Sequence, residues 1–471
     1  MKIVLIGAGS REFGPATLRD IWLSEPLAEL GAHVCLVDLD AGELERTRAY
    51  AARLDGRLPR GHRVDATTSL DEALDGADFV VMAIERDRYF YWAQDFHVPR
   101  DHGFRQIYGE NGGPGGLFHA LRNMVPSLDI CRAMERLCPD AWLLNYTNPL
   151  TKLCEAQTRL SSIRVIGLCH GILRGREQVC RLLGHPPEDL EAYACGLNHV
   201  TWFQEIRSRS TGEDLYPRLR AREREAHWLS DWDQIALSRI LLRTFGLFPS
   251  PGANHIGEYV RWAEDFLGSS LLQFFYDPRE GHPWETGKVP TWIYNLEDHP
   301  TDAELFPAEH PVRLRPPREV REGQSDTRIL HSGELGIPIV EGLACGVRHE
   351  LPAVNVPNRG WIPNLPEDAV VEVPATVGGD GLHPRTMEPL PEAIAALLRV
   401  QASINLLLVQ AFERGSRDLL LQALLLDPTC HSYRQAVELV DRMCELQEGV
   451  LPRMEWREAG TGVPTRGAGG G

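Results

Sequence analysis

Short runs of Val, Ile and Leu, separated by stretches of helical periodicity, constrain this chain more than any other feature. KIVLIG (2–7), HVCLVD (33–38), FVVMAI (79–84), AWLLNY (141–146) and RVIGLC (164–169) are each a strand's length and apolar throughout. Strands of that kind must be covered on both faces, and parallel neighbours need a crossover between them. AGELERTRAYAARL (41–54) has the pattern of such a crossover helix. Residues 1–195 are therefore expected to form an α/β unit, a doubly wound parallel sheet. The pattern changes from residue 196. CGLNHVTWFQEIRSR (195–209) alternates like an antiparallel strand, and DQIALSRILLRTFG (233–246) reads as a helix. Residues 276–325 are proline-rich and irregular, AVVEVPATV (369–377) reads as a strand, and PEAIAALLRVQASINLLLVQAFERGS (391–416) as one long helix before RDLLLQALLLDP (417–428). A second, mixed α+β domain over 196–460 is the expectation, with a disordered tail at 461–471.

Composition narrows the partners. The 471 residues suffice for two domains, and 43% hydrophobic with 24% charged residues is ordinary for a globular protein. The net charge of −17, 49 basic against 66 acidic side chains, argues against nucleic acid and anionic membranes. Lys2 runs at once into IVLIGAG, a strand and glycine turn in place of a secretion leader, and no run of 18 apolar residues is present. The ten cysteines are scattered without a C-x-x-C pair. They read as reduced thiols, and the expected location is the cytoplasm.

The first turn carries a nucleotide motif. In GAGSREFG (7–14), Gly7 and Gly9 occupy the first two positions of G-x-G-x-x-G, while the third is Glu12. A tight turn, a close backbone approach and a helix N-terminus aimed at a pyrophosphate remain, and Ser10 offers a hydroxyl to a phosphate. The second strand ends in Asp38, placed to bind ribose hydroxyls and to disfavour a 2′-phosphate. Gly7, Gly9, Ser10 and Asp38 thus make a Rossmann-like NAD site.

Ligands in such folds sit at the carboxyl ends of the strands, and here those ends carry unusual residues. The fourth strand runs into ERDRYFYW (85–92), followed by YGENGGPGG (108–116) with Glu110 and Asn111. The fifth ends in NYTNP (145–149), the sixth in GLCHG (167–171), and the next begins with GLNH (196–199). Each segment alone has a bland reading as a turn or a buried thiol. Together they present Asn148, Cys169 and His199 to one crevice. A thiolate and an imidazole are two ligands for a divalent transition metal, with positions left for a diol.

These motifs in this order, with GWIPNLPEDAVVEVPATVGGDGLHP (360–384) and ALLLDP (423–428), resemble the family 4 glycoside hydrolases over nearly the whole chain. The resemblance implies a lactate/malate-dehydrogenase-like plan, NAD and a divalent metal, commonly Mn²⁺, a small-molecule glycoside as substrate, and a homodimer or homotetramer. It implies a route of hydride removal from C3, proton removal from C2, loss of the aglycone by elimination, addition of water and return of the hydride. Cys169 and His199 match the family's metal ligands. His170 matches a position that tracks substrate type, Asn148 one that contacts the substrate, and Asn198 stands beside His199 as a further substrate contact. Glu110 aligns with the carboxylate that protonates the leaving group. The base motif D-x-H-x-x-E-Y corresponds to Ala253–Tyr259, so its Asp position holds Ala253. That departure leaves His255, Glu258, Tyr259 or a metal-bound hydroxide as the base.

C-H-G at 169–171 is the form that accompanies α-glucuronidases and α-galacturonidases in the family, so a uronide is the expected substrate. A neutral α-galactoside or α-glucoside is the alternative. Arg11, Arg86, Arg88 and Arg105 are candidates to clamp a C6 carboxylate. Two rival classes share the nucleotide motif: a plain NAD-dependent hydroxyacid dehydrogenase, which needs no Cys/His pair, and a non-catalytic NAD sensor, which would have lost it.

Overall fold

The computed structural model describes residues 1–10, 13–225, 235–266, 276, 280–287 and 329–457. Arg11, nearly all of the irregular stretch 276–325 and the tail 461–471 lie outside the described residues. Twelve strands among those described form one sheet. They are β1 (Lys2–Ile6), β2 (His33–Val37), β3 (Arg63–Thr67), β4 (Phe79–Met82), β5 (Trp142–Asn145), β6 (Arg164–Gly167), β7 (Leu190–Leu197), β8 (Val200–Ser208), β9 (Phe248–Ser250), β10 (His349–Pro357), β11 (Val370–Gly378) and β12 (Gly381–Pro384). Their order is β3-β2-β1-β4-β5-β6-β10-β11-β7-β8-β9, with β12 on β11.

The first six strands are parallel, as the apolar runs require. Their order 3-2-1-4-5-6 is that of a dinucleotide-binding sheet, and its switch point lies between β1 and β4. β3 was not visible as an apolar run because it is the sheet's edge, exposed at Arg63 and half-buried elsewhere. Beyond β6 every pairing is antiparallel, starting where Asn355 of β10 faces Gly167 of β6.

The stretch 195–209, expected as one strand, is a hairpin. β7 ends at Leu197, Asn198 and His199 form the turn, and β8 returns with Leu197 opposite Val200. Alternation of side chains is the same in one strand and in two joined by a tight turn, so the pattern could not separate them. His199 takes a positive φ of 68° in that turn, a strained conformation for a residue with a Cβ.

The long C-terminal helix, Glu392–Arg414, is long and apolar enough to cross a membrane by length and composition, yet half of its apolar window is buried inside the protein. Ile404, Leu408 and Ala411 pack in one core with Trp92, Phe96, Phe118 and Leu153. A second core joins Ile3 and Leu5 to Val371, Val373, Ile394 and Leu398.

Candidate active site

The strand ends build the site in two neighbouring parts. At β1 the chain turns back through Gly7, whose φ is 81° and whose N–H donates to Val37 O at 2.9 Å. A Cβ there would lie 2.1 Å from Ala83 O, so only glycine fits. Gly9 N–H donates to Asp38 Oδ2 at 2.8 Å, and Asp38 Oδ1 accepts from Asp40 N at 3.0 Å. Asp38 therefore fixes the loop as well as facing the end of β2. Ser10 Oγ accepts from Phe13 N, at the start of the Phe13–Leu23 helix, at 3.2 Å, leaving its own proton free to donate. Sequence reasoning missed Gly14. A Cβ on it would meet Ala8 O at 2.1 Å, so Gly14 performs the close helix–strand packing that the motif's third glycine usually serves. A glycine two places late was the available signal.

The second part lies at the ends of β5 and β6, reached from β1 across three strand spacings, roughly 14 Å. Cys169 Sγ stands 3.6 Å from His199 Nε2 and accepts from Gly171 N at 3.3 Å. The His199 and His255 rings lie with centroids 4.2 Å apart, tilted at 44° to one another. Ligand atoms of Glu110, His199 and His255 all lie within 4.8 Å of one another. Burial drives His255 down to about 4 and His199 well below its ordinary value, so both imidazoles are neutral. Burial, then the nearby Glu372 carboxylate, pushes the Cys169 thiol up to about 12.

This donor set fits a divalent metal. Neutral imidazoles and a carboxylate converge with a thiol that only a strong local positive charge would hold as thiolate at neutral pH. The Nδ1 atoms of His199 and His255 are buried without a hydrogen-bond partner among the described residues.

Around this centre the other expected residues divide. Asn198 Nδ2 donates to Glu372 Oε2 at 2.7 Å, and its side chain also reaches the Cys169 thiol. Asn148 precedes a cis proline and accepts on its carbonyl from Asn123 Nδ2 at 2.8 Å. His170 lies at the mouth, with Nδ1 3.3 Å from Glu334. Glu110 is 3% exposed and takes Arg88 Nη2 at 2.6 Å. Burial alone would raise its pKa, but the Arg88 guanidinium, which also donates to it, outweighs burial and holds the Glu110 carboxyl below the usual range.

Glu258 does not present a free carboxylate. Its oxygens accept from the backbone N–H groups of Glu110 at 2.7 Å and Asn111 at 3.0 Å, so it clamps the loop that carries Glu110. Burial and the Glu110 charge push its carboxyl up to about 8.

Several residues of the site were not singled out from the sequence. His119 spans from Glu110 O at 2.8 Å to Glu85 Oε2 at 2.9 Å. Lys152 Nζ donates to Asn111 O at 2.5 Å, and burial lowers its pKa to about 8. Glu372 receives Asn198 and Asn355. Of the arginines expected to clamp a carboxylate, Arg88 is engaged by Glu110 and Glu85, Arg105 pairs with Glu264 at the surface, and Arg86 is exposed.

The family model described as "Family 4 glycosyl hydrolase" matches residues 2–185, and "Family 4 glycosyl hydrolase C-terminal domain" matches 194–430. An alpha-glucosidase of Erwinia rhapontici is 34% identical over 456 residues, 95% of this chain and 98% of that protein. An alpha-galacturonidase of Thermoanaerobacterium saccharolyticum is 26% identical over 469 residues, covering 94% of this chain and 95% of its own. Among solved structures, a 6-phospho-alpha-glucosidase from gut microorganisms, in complex with NAD and Mn²⁺, superposes with a TM-score of 0.73 at 22% identity. It covers 96% of this chain and 99% of its own.

Proposed function

From its membership of glycosyl hydrolase family 4, we propose that this chain hydrolyses the α-glycosidic bond of a neutral hexopyranoside, an α-glucoside first, using NAD⁺ and Mn²⁺. The convergence of Cys169, His199, His255 and Glu110 carries the reading, because a plain dehydrogenase has no use for a thiol beside two neutral imidazoles. Similarity to the α-glucosidase supports the neutral sugar over the uronide. When bound, NAD⁺ would supply a reversible hydride acceptor and Mn²⁺ a Lewis acid toward the sugar oxygens.

The chain's own residues have three tasks. The Gly7–Ser10 turn and Asp38 would hold the dinucleotide, and Cys169 and His199 the metal, with Asn148, His170 and Asn198 on the sugar. A proton must leave C2. His255 is neutral, with Nδ1 unpartnered among the described residues, and is free to accept it; burial and the Glu258 charge hold the Tyr259 phenol protonated, so Tyr259 would act as base only with a positive charge brought beside it. A proton must also reach the leaving oxygen. Arg88 keeps Glu110 anionic in the free protein, so Glu110 serves as acid once substrate displaces that contact and it takes up a proton. Arg88 also lies over Trp92, whose edge meets Tyr108, and Tyr108 meets His255. This aromatic wall keeps water from the proton-handling groups.

The test is a panel of aryl α- and β-glycosides and uronides with NAD⁺ and Mn²⁺. α-Glucoside turnover without NADH accumulation, abolished by chelation and carrying deuterium at C2 from D₂O, is the expected result. Full activity after exhaustive chelation and nucleotide removal overturns the reading. A uronide is the second reading, favoured by C-H-G and by Arg174. Arg174 lies one helical turn beyond His170 and has no carboxylate partner among the described residues. Ten unpaired cysteines support a reducing, cytoplasmic location, and the half-exposed apolar Glu392–Arg414 helix supports a homo-oligomer.

A further inference from the structure

Glu334 belongs to no motif and lies in the segment entering the Gly336–Cys345 helix. Two anchors fix it. On one side Ser332 donates from its N–H to Asp20 Oδ1 at 2.8 Å and from its hydroxyl to Asp20 Oδ2, and Ser332 Oγ then accepts from Glu334 N at 3.0 Å. On the other side Gly336 N donates to the Tyr146 hydroxyl at 2.8 Å, tying the segment to NYTNP. Between them the Glu334 carboxylate reaches His170 Nδ1 at 3.3 Å, with its side chain 17% exposed. No lysine or arginine pairs with it among the described residues. Its charge is felt at Tyr146 and Cys169, which places a carboxylate paired only with His170 at the mouth of the sugar site, while the Arg174 charge is felt at His199 and His255.

We infer that Glu334 is a specificity-determining residue of this site. It positions His170 through Nδ1, leaving Nε2 for a sugar hydroxyl, and its carboxylate repels anionic sugars from the same place. Arg174 shares the His170 helix but meets His170 only through the backbone, so the carboxylate is the charge that the ring itself touches. The inference rests on reading the substrate as a neutral α-hexopyranoside.

The experiment compares kcat/KM on 4-nitrophenyl α-glucoside and α-galacturonide, with NAD⁺ and Mn²⁺, for wild type, Glu334→Gln and Glu334→Asp, alongside NAD⁺ affinity and melting temperature. Wild type favours the glucoside. In Glu334→Gln the uronide-to-glucoside ratio rises by about tenfold or more, the size expected for removing one nearby like charge. Its KM for the glucoside rises more than its kcat falls. Glu334→Asp, which keeps the charge, retains the wild-type ratio, and NAD⁺ affinity is unchanged throughout. A folded Glu334→Gln with the wild-type ratio, or one whose only defect is NAD⁺ affinity, overturns the role of Glu334 and leaves the neutral substrate standing. Wild-type preference for the uronide overturns the substrate reading itself. Should Glu334→Gln not fold, the wild-type ratio measured from low to high NaCl decides: a rise with salt supports charge exclusion, and a flat ratio overturns it.

Discussion

Cys169 and His199 come from different strand ends, and the hairpin turn that holds His199 at a positive φ is what aims its ring at the thiol. Both were singled out in the sequence because they stand at strand boundaries, Cys169 closing one apolar run and His199 in the opening of the next strand. Glu334 and Glu372 were not, since only the returning chain, 165 or more residues after Cys169 in sequence, brings them beside it. Cys169→Ser and His199→Ala are expected to lose bound Mn²⁺ and more than about 100-fold in kcat/KM, beyond the effect of typical outer partners. NAD⁺ affinity should persist, because the Gly7–Ser10 turn lies on another strand. Metal analysis with a nucleotide titration checks both, and variants that keep stoichiometric metal would sink the assignment. Glu110→Gln should lose roughly 10²–10⁴-fold on a disaccharide and far less on a nitrophenyl glycoside, whose leaving group needs little protonation. Equal losses would reduce Glu110 to anchoring Arg88.

The segment 108–116, expected as a loop throughout, is loop only to Gly112 and then the first turn of the Gly113–Leu137 helix, and it is held almost wholly by other elements. Glu258 takes its N–H groups, Lys152 takes Asn111 O, and Gln106 Oε1 accepts from Gly115 N at 2.9 Å. Its glycines announced a loop in the sequence, but those three clamps carry no local signature. The raised Glu258 carboxyl gives a pH dependence with a definite sign. A folded pKa of about 8 against an unfolded 4.5 means that the native state holds the extra proton. Stability from this group is complete below pH 4.5 and is lost as pH rises toward 8. Glu258→Gln, which mimics the protonated form, should flatten that decline by roughly 4 kcal/mol across the window. Urea denaturation at pH 5 and pH 8 measures it; a decline as steep as wild type would show that Glu258 is ionised throughout. Glu258→Ala leaves the Glu110 and Asn111 N–H groups unpaired and should cost about 1–3 kcal/mol for each, with activity falling as the loop loosens.

Across the whole molecule, the parallel strands were legible because burial on both faces forces continuous apolar runs. The insertion of β10 and β11 between β6 and β7 was not, because strand order leaves no trace in composition. Both main cores mix residues from the two ends of the chain. Urea unfolding followed by fluorescence and by far-UV circular dichroism should therefore give one coincident transition. Residues 1–185 expressed alone should fail to fold cooperatively, since β6 loses its partner and the Leu150–Leu160 helix its cover. Two separated transitions, or a soluble and cooperative fragment, would contradict this. The strand order also sets a timetable for synthesis. A ribosome releases Cys169 and His199 early, but the strands that fill the space between β6 and β7, and the Glu372 that braces Asn198 against the thiol, emerge almost two hundred residues after Cys169. Throughout that interval the thiol is made but its surroundings are not, so on the proposed assignment of Cys169 and His199 to the metal the nascent enzyme would pass through a long window in which oxidants and stray metals meet an unfinished site. On that assignment, loading with the correct ion would belong to the finished chain.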